Sequence, residues 1–465
     1  MKGEEIDMIP VTKITGGLVQ TLLLYVSIIG LLLFVATLLR LKIRILKKLF
    51  IPASLLAGII GMLLGPYFLK VIPATMMSSF GALPGQMITV VFACMLLGIK
   101  STKESAGSMT HDVVTGLGWL WSCSFLQVGI ISVLTALIFT PVFGVDPMFG
   151  SVFEIGFAGG HGTAGGMADV FVKLGWPDGG DIGKTTATIG LMAGIIGGMF
   201  AINYAVRKRY TKVLTEPADF DTAVEVFAEG SRTPNAYETV SSDVVEPFAL
   251  HLGLIGISIL IGWEITGFLK SLIKLNLPLF PFAMIGGWIV NRLMIAAHLD
   301  AMMDRNIFQR LQGIALEILV VAAMASISIP VVMAYWAPLL IGSIVMIAMM
   351  VWFYLFWLSP RVFKDNWFES GIIRFGAFCG VAAVGYMLLR ACDPKMKTDS
   401  GTVYALGCPF MSPFIGGGLV TTAYPILIQK FGAMTAGLAF CGGALVIILL
   451  MRAFLWVKDF KYEQR

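Results

Sequence analysis

From Leu18 to Leu39 the chain runs for 22 residues without a charged side chain. About 20 residues at roughly 1.5 Å rise are enough to cross a bilayer, and this run is not alone. Apolar runs follow near 50–69, 86–99, 113–140 and 184–206, and a second set at 247–269, 278–296, 311–329, 331–358, 402–429 and 432–456. The pattern predicts an all-α polytopic membrane protein. Composition agrees: 57% of residues are hydrophobic and 13% charged, where a soluble domain carries roughly 25% charged residues. A soluble enzyme, a secreted disulfide scaffold and a disordered chain are excluded on that ground. The first run is too long for a signal peptide and ends in Arg40, not in a small-residue cleavage site, so it reads as the first span.

Between the two sets lies 209–246, where 11 of 38 residues are charged. The predicted organisation is therefore a first membrane repeat (1–208), a cytoplasmic hydrophilic linker (209–246) and a second membrane repeat (247–430). An additional transmembrane helix and cytoplasmic tail (431–465) have no counterpart in the first half. Two further stretches, about 149–172 and 367–390, are too rich in glycine to be ordinary spans.

Lys and Arg in short loops favour the cytoplasm, and this rule decides how those two stretches run. If both re-enter and leave on the same side, 23 of the 33 basic residues fall inside and eight outside, with Arg232 in the linker and Arg374 within a hairpin. If the first stretch crossed instead, Arg207–Lys212 would be placed outside. The re-entrant reading puts the N-terminus outside and the C-terminus inside, and gives the two halves opposite topology. Aligning 151–170 on 371–390 superposes Gly156 on Gly376, Gly160 on Gly380 and Gly165 on Gly385, while Pro52 and Gly58 are echoed by Pro281 and Gly287. Inverted repeats with broken helices near the midplane are a usual build of secondary carriers.

The strongest local feature is the run Ala158-Gly159-Gly160-His161-Gly162-Thr163-Ala164-Gly165-Gly166. Its glycines permit positive φ and a close backbone approach to a ligand. Thr163 adds a hydroxyl and His161 a ring that can donate or accept. Unpaired N–H groups at helix N-termini attract a carboxylate, and carbonyl ends can coordinate a cation. The alternative is a small-residue helix contact.

Gly-Gly-His-Gly-Thr at 159–163, in a hairpin after the fourth span and before a glycine-rich fifth (Gly190, Gly194, Gly197, Gly198), resembles the sodium:glutamate symporter family. The resemblance covers about residues 18–430. It implies two inverted five-span repeats, sodium-driven uptake of an anionic amino acid, an elevator-like motion and a homodimer in the cell (inner) membrane. The second hairpin, Gly376-Ala377-Phe378-Cys379-Gly380-Val381-Ala382-Ala383, departs from the family pattern in lacking hydroxyls at its tip.

The predicted substrate site lies between the turns Gly159–Ala164 and Gly376–Gly380, with Cys379 the one side-chain heteroatom group in the second turn and Arg374 as charged partner for a second carboxylate. Thr163 and Asn203 are the candidate sodium ligands; no organic cofactor is expected, and the +5 net charge follows membrane sidedness, with no nucleic-acid partner implied. Thr185, Thr186 and Thr188 offer oxygens either to a cation or back to their own helix. Glu264, Glu317, Asp169, His251 and His298 read as residues of the membrane interface or of span ends, with Glu317 equally a functional group. Glu154 and Arg374 occupy equivalent positions in the repeat alignment, and either pair across a pseudo-two-fold axis or face separate mouths. Trp119, Trp121, Trp352, Tyr354 and Trp357 suit an interfacial belt.

Other functions fit less well. The nearest approach to a Walker A loop, Gly179–Thr185, has Asp178 where the first glycine is required. H-E-x-x-H and G-x-S-x-G are absent, as is any C-x-x-C pair among the six cysteines. A re-entrant-loop ion channel and a proton-coupled carrier of another small organic anion remain as alternatives.

Overall fold

The computed structural model describes residues 15–43, 46, 51–99, 110–213, 234, 236–273, 278–364, 366–393 and 397–457. Most of the expected linker, Lys395 and the tail from 458 lie outside these residues. The described chain is helical, with no strand among the described residues. In chain order the helices are α1 (Gly16–Lys42), α2 (Ala53–Leu64), α3 (Ala74–Met95) and α4 (Thr110–Leu134, prolonged through a π turn to Phe143). Then come α5 (Val152–Phe157), α6 (Gly160–Gly166), α7 (Ala168–Lys173) and α8 (Gly179–Met192, prolonged through a π turn to Arg207). The second half has α9 (Pro247–Ile273), α10 (Phe280–Ala296), α11 (Arg305–Ala325), α12 (Ile329–Ala334) and α13 (Trp336–Ala348, prolonged through a π segment to Val362). It ends with α14 (Trp367–Cys392), α15 (Ser400–Met411), α16 (Leu419–Phe431) and α17 (Ala433–Phe454).

Among the described residues, nine helices are long and apolar enough to cross a membrane, and α2 and α10 are shorter apolar helices. The protein is an all-helical, multi-pass membrane protein. Length alone misleads at α14. A Cβ placed on Gly376 would lie 2.8 Å from Gly385 Cα, yet nine residues of straight helix would separate the two by about 13.5 Å. The chain therefore folds back at Gly380 and Val381, whose backbone is non-helical, and α14 is a hairpin of two short arms.

The chain divides into two compact units, each drawing on both halves of the sequence. The first holds α1–α3 and α9–α11. Pro52 precedes α2, and Pro281 lies in the first turn of α10, where a fixed φ suits helix initiation. Six residues on from each proline a glycine makes a close contact. A Cβ on Gly58 would come 2.9 Å from Met324 Cγ of α11, and one on Gly287 would press on the Ala93 carbonyl of α3. Arg305, opening α11, donates from Nη1 to Cys94 O and Leu97 O at 2.7 Å each, which ties the start of α11 to the end of α3. His251 is buried, not at a water-facing span end. Its Nδ1 donates to Pro247 O at 2.6 Å and its Nε2 accepts from Asp304 N at 2.8 Å. Those two partners fix the Nδ1–H tautomer, because Asp304 N can only donate.

The second unit holds α4–α8 and α12–α17. Its apolar filling centres on α4, whose Trp119 is fully buried, meets Tyr354 edge-to-face at 4.8 Å and donates from Nε1 to Ser359 Oγ. Trp119 and Tyr354 are thus core residues, contrary to the interfacial expectation; burial is affordable because both polar ends find partners, Tyr354 through Ser122 Oγ. Trp352 and Trp357 are the exposed members, at 73% and 40%.

Three boundaries differ from the sequence expectation. α3 begins at Ala74, not near 86, because helix continues through Pro84. The expected span 402–429 is broken at 412–418, where Gly416 and Gly417 take φ of +70° and +111°, values that only glycine adopts without strain. Gly162, Gly165 and Gly166 are helical, although glycines so closely spaced should weaken a helix. Tertiary packing overrides propensity there: a Cβ on Gly183 of α8 would already sit 3.3 Å from Ala164 Cβ, and one on Gly180 2.7 Å from Ala168 Cβ.

Candidate functional site

The second unit contains two helix interruptions at which the chain reverses, and their tips meet. In the first, α5 runs alongside α8 from Thr186, which donates to Val152 O at 2.8 Å, towards Gly190, whose Cβ would lie 2.9 Å from the Phe157 ring. After Gly159 the direction reverses. α6 returns past Thr188, hydrogen bonded to His161 Nε2 at 2.9 Å, and past Gly183 beside Ala164. In the second, the arms of α14 reverse at Gly380 and Val381. Gly160 at the first tip has φ +69°, and a Cβ there would lie 2.6 Å from Val381 Cγ1 at the second. α8 passes both: Gly190 abuts Phe157 and the Cys379 carbonyl, and a Cβ on Gly194 would fall 3.0 Å from Cys379 Cβ.

The predicted site residues divide accordingly. Gly159, Gly160, Cys379 and Gly380 lie at the meeting tips. His161, Gly162, Thr163 and Ala164 form the first turns of α6, and all four are buried. The turn is tighter than Gly159–Ala164, since the reversal is complete by Gly160 and Gly162 is helical. The second turn is displaced likewise: Gly376 and Cys379 belong to the first arm, and Val381 is the residue with positive φ. Val381 has φ +60° and ψ 170°, a region essentially reserved for glycine.

Thr163 Oγ1 donates to Gly159 O at 2.9 Å, and Asn203 Nδ2 donates to Met199 O at 3.1 Å. The two are not brought together. Thr163 neighbours α8 around Gly183, and Asn203 lies 20 residues further along that helix, roughly 30 Å at 1.5 Å per residue. One ion cannot take both. Thr185 and Thr188 bond back to carbonyls of their own helix, whereas Thr186 ties α8 to the first hairpin. Glu264, Glu317, Asp169 and His298 are exposed.

Arg374 is 1% exposed; its Nη1 donates to Ser370 O at 2.7 Å and its guanidinium carbon lies 4.5 Å from the Phe363 ring centroid. It occupies a notch at Gly116, where a Cβ would sit 3.0 Å from Cζ. Glu154 sits elsewhere along α4. It is fully buried, and its Oε1 accepts from Ser124 Oγ (2.9 Å), Thr421 Oγ1 (3.0 Å) and Gly416 N (3.2 Å). Gly116 and Ser124 are eight residues apart on α4, about 12 Å, so each charge has its own setting and the pairing alternative is not what the fold builds.

Sequence reading missed the surroundings of Glu154. Ser124, Gln127, Thr421 and Tyr424 fall in unremarkable apolar runs, and only the break at Gly416–Gly418 brings α16 onto the first hairpin. It also missed Lys184, 5% exposed, whose Nζ lies 2.6 Å from Asp181 Oδ1.

Residues 17–383 match the family described as sodium/glutamate symporter. Among solved structures, the sodium proton antiporter MjNhaP1 from Methanocaldococcus jannaschii at pH 8 is similar at 16% identity and a TM-score of 0.39, covering 92% of this chain and 98% of its own. No curated protein matches.

Proposed function

This chain belongs to the sodium/glutamate symporter family, and from that premise we propose that it is a secondary carrier that takes up glutamate or a related anionic amino acid together with sodium. The observation that carries the reading is the meeting of two helix interruptions at Gly160 and Val381, inside a unit separate from α1–α3 and α9–α11. Irregular backbone at membrane depth survives only where protein buries it or a watered cavity receives it. Two such interruptions at one place supply N–H and carbonyl groups to a ligand with little help from side chains.

In this reading the substrate lies between the tips, held by Gly159–Ala164 on one side and by Gly376, Cys379 and Gly380 on the other. A carboxylate takes backbone N–H groups at the start of α6, and Thr163 adds an oxygen for it or for sodium. Arg374, about 9 Å below the second tip along its arm, answers a second carboxylate. The halves are inverted repeats with re-entrant hairpins, followed by α17 as an extra span; the N-terminus is outside and the C-terminus in the cytoplasm. The crossed contacts of Gly58 on α11 and Gly287 on α3 support that symmetry, as do π segments in both α4 and α13. Division into two units suits an elevator-like motion of one against the other, in a homodimer of the cell (inner) membrane.

Reconstituted protein should accumulate labelled glutamate when an inward sodium gradient is imposed, and not when potassium replaces sodium. Accumulation driven equally by a proton gradient without sodium would favour the proton-coupled alternative. Ungated flux independent of any gradient would favour a channel.

A further inference from the structure

Among the described residues, four side-chain oxygens are buried without a hydrogen-bond partner, and two of them hang from neighbouring points of one surface: Glu154 Oε2 and Gln127 Oε1. Both residues are 0% exposed. Glu154 is tied to α4 through Ser124, and Gln127 lies three residues further on the same helix face. Each side chain is pinned by its other end. Glu154 Oε1 takes all three donors, while Gln127 Nε2 donates to Phe378 O at 3.0 Å and reaches Met350 Sδ at 3.5 Å. Oε2 and Oε1 are what remains.

Leaving a buried acceptor unmet is costly, and for a carboxylate much more so. Among the described residues, the donors around Glu154 are already engaged: Ser124 Oγ, Thr421 Oγ1 and Gly416 N are spent on Oε1, and Tyr424 OH lies 2.8 Å from Ser124 Oγ. A bound cation would satisfy both oxygens at once. The donor set, one carboxylate oxygen and one amide oxygen, carries a single negative charge and only hard oxygen ligands, which suits a hard monovalent ion. No group of three or more His, Cys, Asp or Glu that would hold a transition metal occurs among the described residues.

We propose that Glu154 Oε2 and Gln127 Oε1 are protein ligands of a sodium ion held between α4 and the two hairpins. The proposal rests on the sodium-coupled reading and adds the ion's position to it. The position explains coupling. Glu154 lies on the arm leading to the first tip, and it holds the Gly416 break, where a Cβ would be 3.5 Å from Ala158 O. Gln127 holds Phe378 O at the end of the arm leading to the second tip. An ion bridging them fixes both tips in one arrangement, so substrate binding between the tips and ion binding favour the same state.

The test uses the full-length protein in detergent, with thermal unfolding followed as sodium chloride replaces choline chloride at constant ionic strength. A ligand that binds only the folded state raises Tm saturably. Wild type should show that rise. Glu154→Gln and Gln127→Met should each raise the half-saturating sodium concentration by about tenfold or more, since even outer-shell changes cost that much. Gln127→Met also lowers Tm in choline, because Phe378 O loses its donor, so the site is read from the sodium response and not from the baseline. A purely structural role for these side chains would lower Tm in both salts and leave the sodium response intact, and that result overturns the site while the sodium-coupled reading stands. Absence of a sodium response in wild type overturns both. Should Glu154→Gln fail to fold, Gln127→Met decides alone: a wild-type sodium response in it overturns the site.

Discussion

Gly160 and Val381 face each other across the two hairpin tips, each with φ in the left-handed half of the map, +69° and +60°. For Gly160 this is unstrained. For Val381, with ψ 170°, it is a conformation that costs on the order of 1–3 kcal/mol and persists only where surroundings enforce it. Glycine at 381 would relieve the strain. We expect Val381→Gly to leave Tm unchanged or raise it, although it removes an apolar side chain. Val384→Gly, three residues on and 5% exposed, should lower stability by about 2 kcal/mol or more through lost burial and helix propensity. Thermal unfolding of the two variants side by side checks this.

Gly160 tolerates no side chain on two counts. A Cβ would overlap Val381 Cγ1, and positive φ disfavours β-branched residues. Gly160→Val should abolish sodium-driven uptake and lower stability by about 2–4 kcal/mol, combining overpacking with the left-handed penalty. Thr163→Val keeps the shape and loses one bond, to Gly159 O, worth about 1 kcal/mol. It should fold and insert normally but require more glutamate for half-maximal uptake. Uptake kinetics at matched expression distinguish the two variants.

Much of this arrangement is legible in the sequence. Apolar run length found the helices, because a membrane span needs no partner to declare itself. Glycine density found both interruptions, since so many glycines have few uses in a straight span. The turns read from the sequence, Gly159–Ala164 and Gly376–Gly380, are longer than the reversals at Gly160 and at Gly380–Val381, because composition shows that a helix is weak, not where tertiary contacts let it persist. Ala164 on Gly183 keeps α6 helical, which no local signal reports. The break at 412–418 was hidden inside a convincing 28-residue run, and with it the donors from Gly416 and Thr421 to Glu154. Residues such as Gln127 acquire meaning only from the orphaned oxygen that the fold leaves them.

Sidedness gives an independent check on the repeat. Lys173, after the first hairpin, and Lys397, after the second, are both exposed. Opposite topology places Lys173 outside and Lys397 inside. Cysteine introduced singly at each position in a cysteine-free background should react with an impermeant thiol reagent from opposite faces of the membrane. Reaction of both from one face would remove the inverted-repeat argument.

Glu154 and Arg374 are buried charges, each six residues before a tip glycine (Gly160 and Gly380), and α4 keeps them apart. Ser124 serves one and Gly116 the other, about 12 Å along a single helix. Ion pairing would make the double variant less damaging than the sum of the single ones, because removing both charges leaves neither unpaired. Separate settings predict the opposite. Glu154→Gln acts where Ser124, Thr421 and Gly416 N converge, whereas loss of Arg374 empties the notch between Gly116 and Phe363. None of those partners is shared. The stability effects of Glu154→Gln and Arg374→Gln should therefore add to within about 0.5 kcal/mol. Their transport effects should differ in kind, with Glu154→Gln raising the sodium requirement and Arg374→Gln raising the glutamate requirement. A double-variant cycle read by thermal unfolding and by uptake kinetics tests both statements, and a coupling well above that margin would mean the two charges sense each other after all.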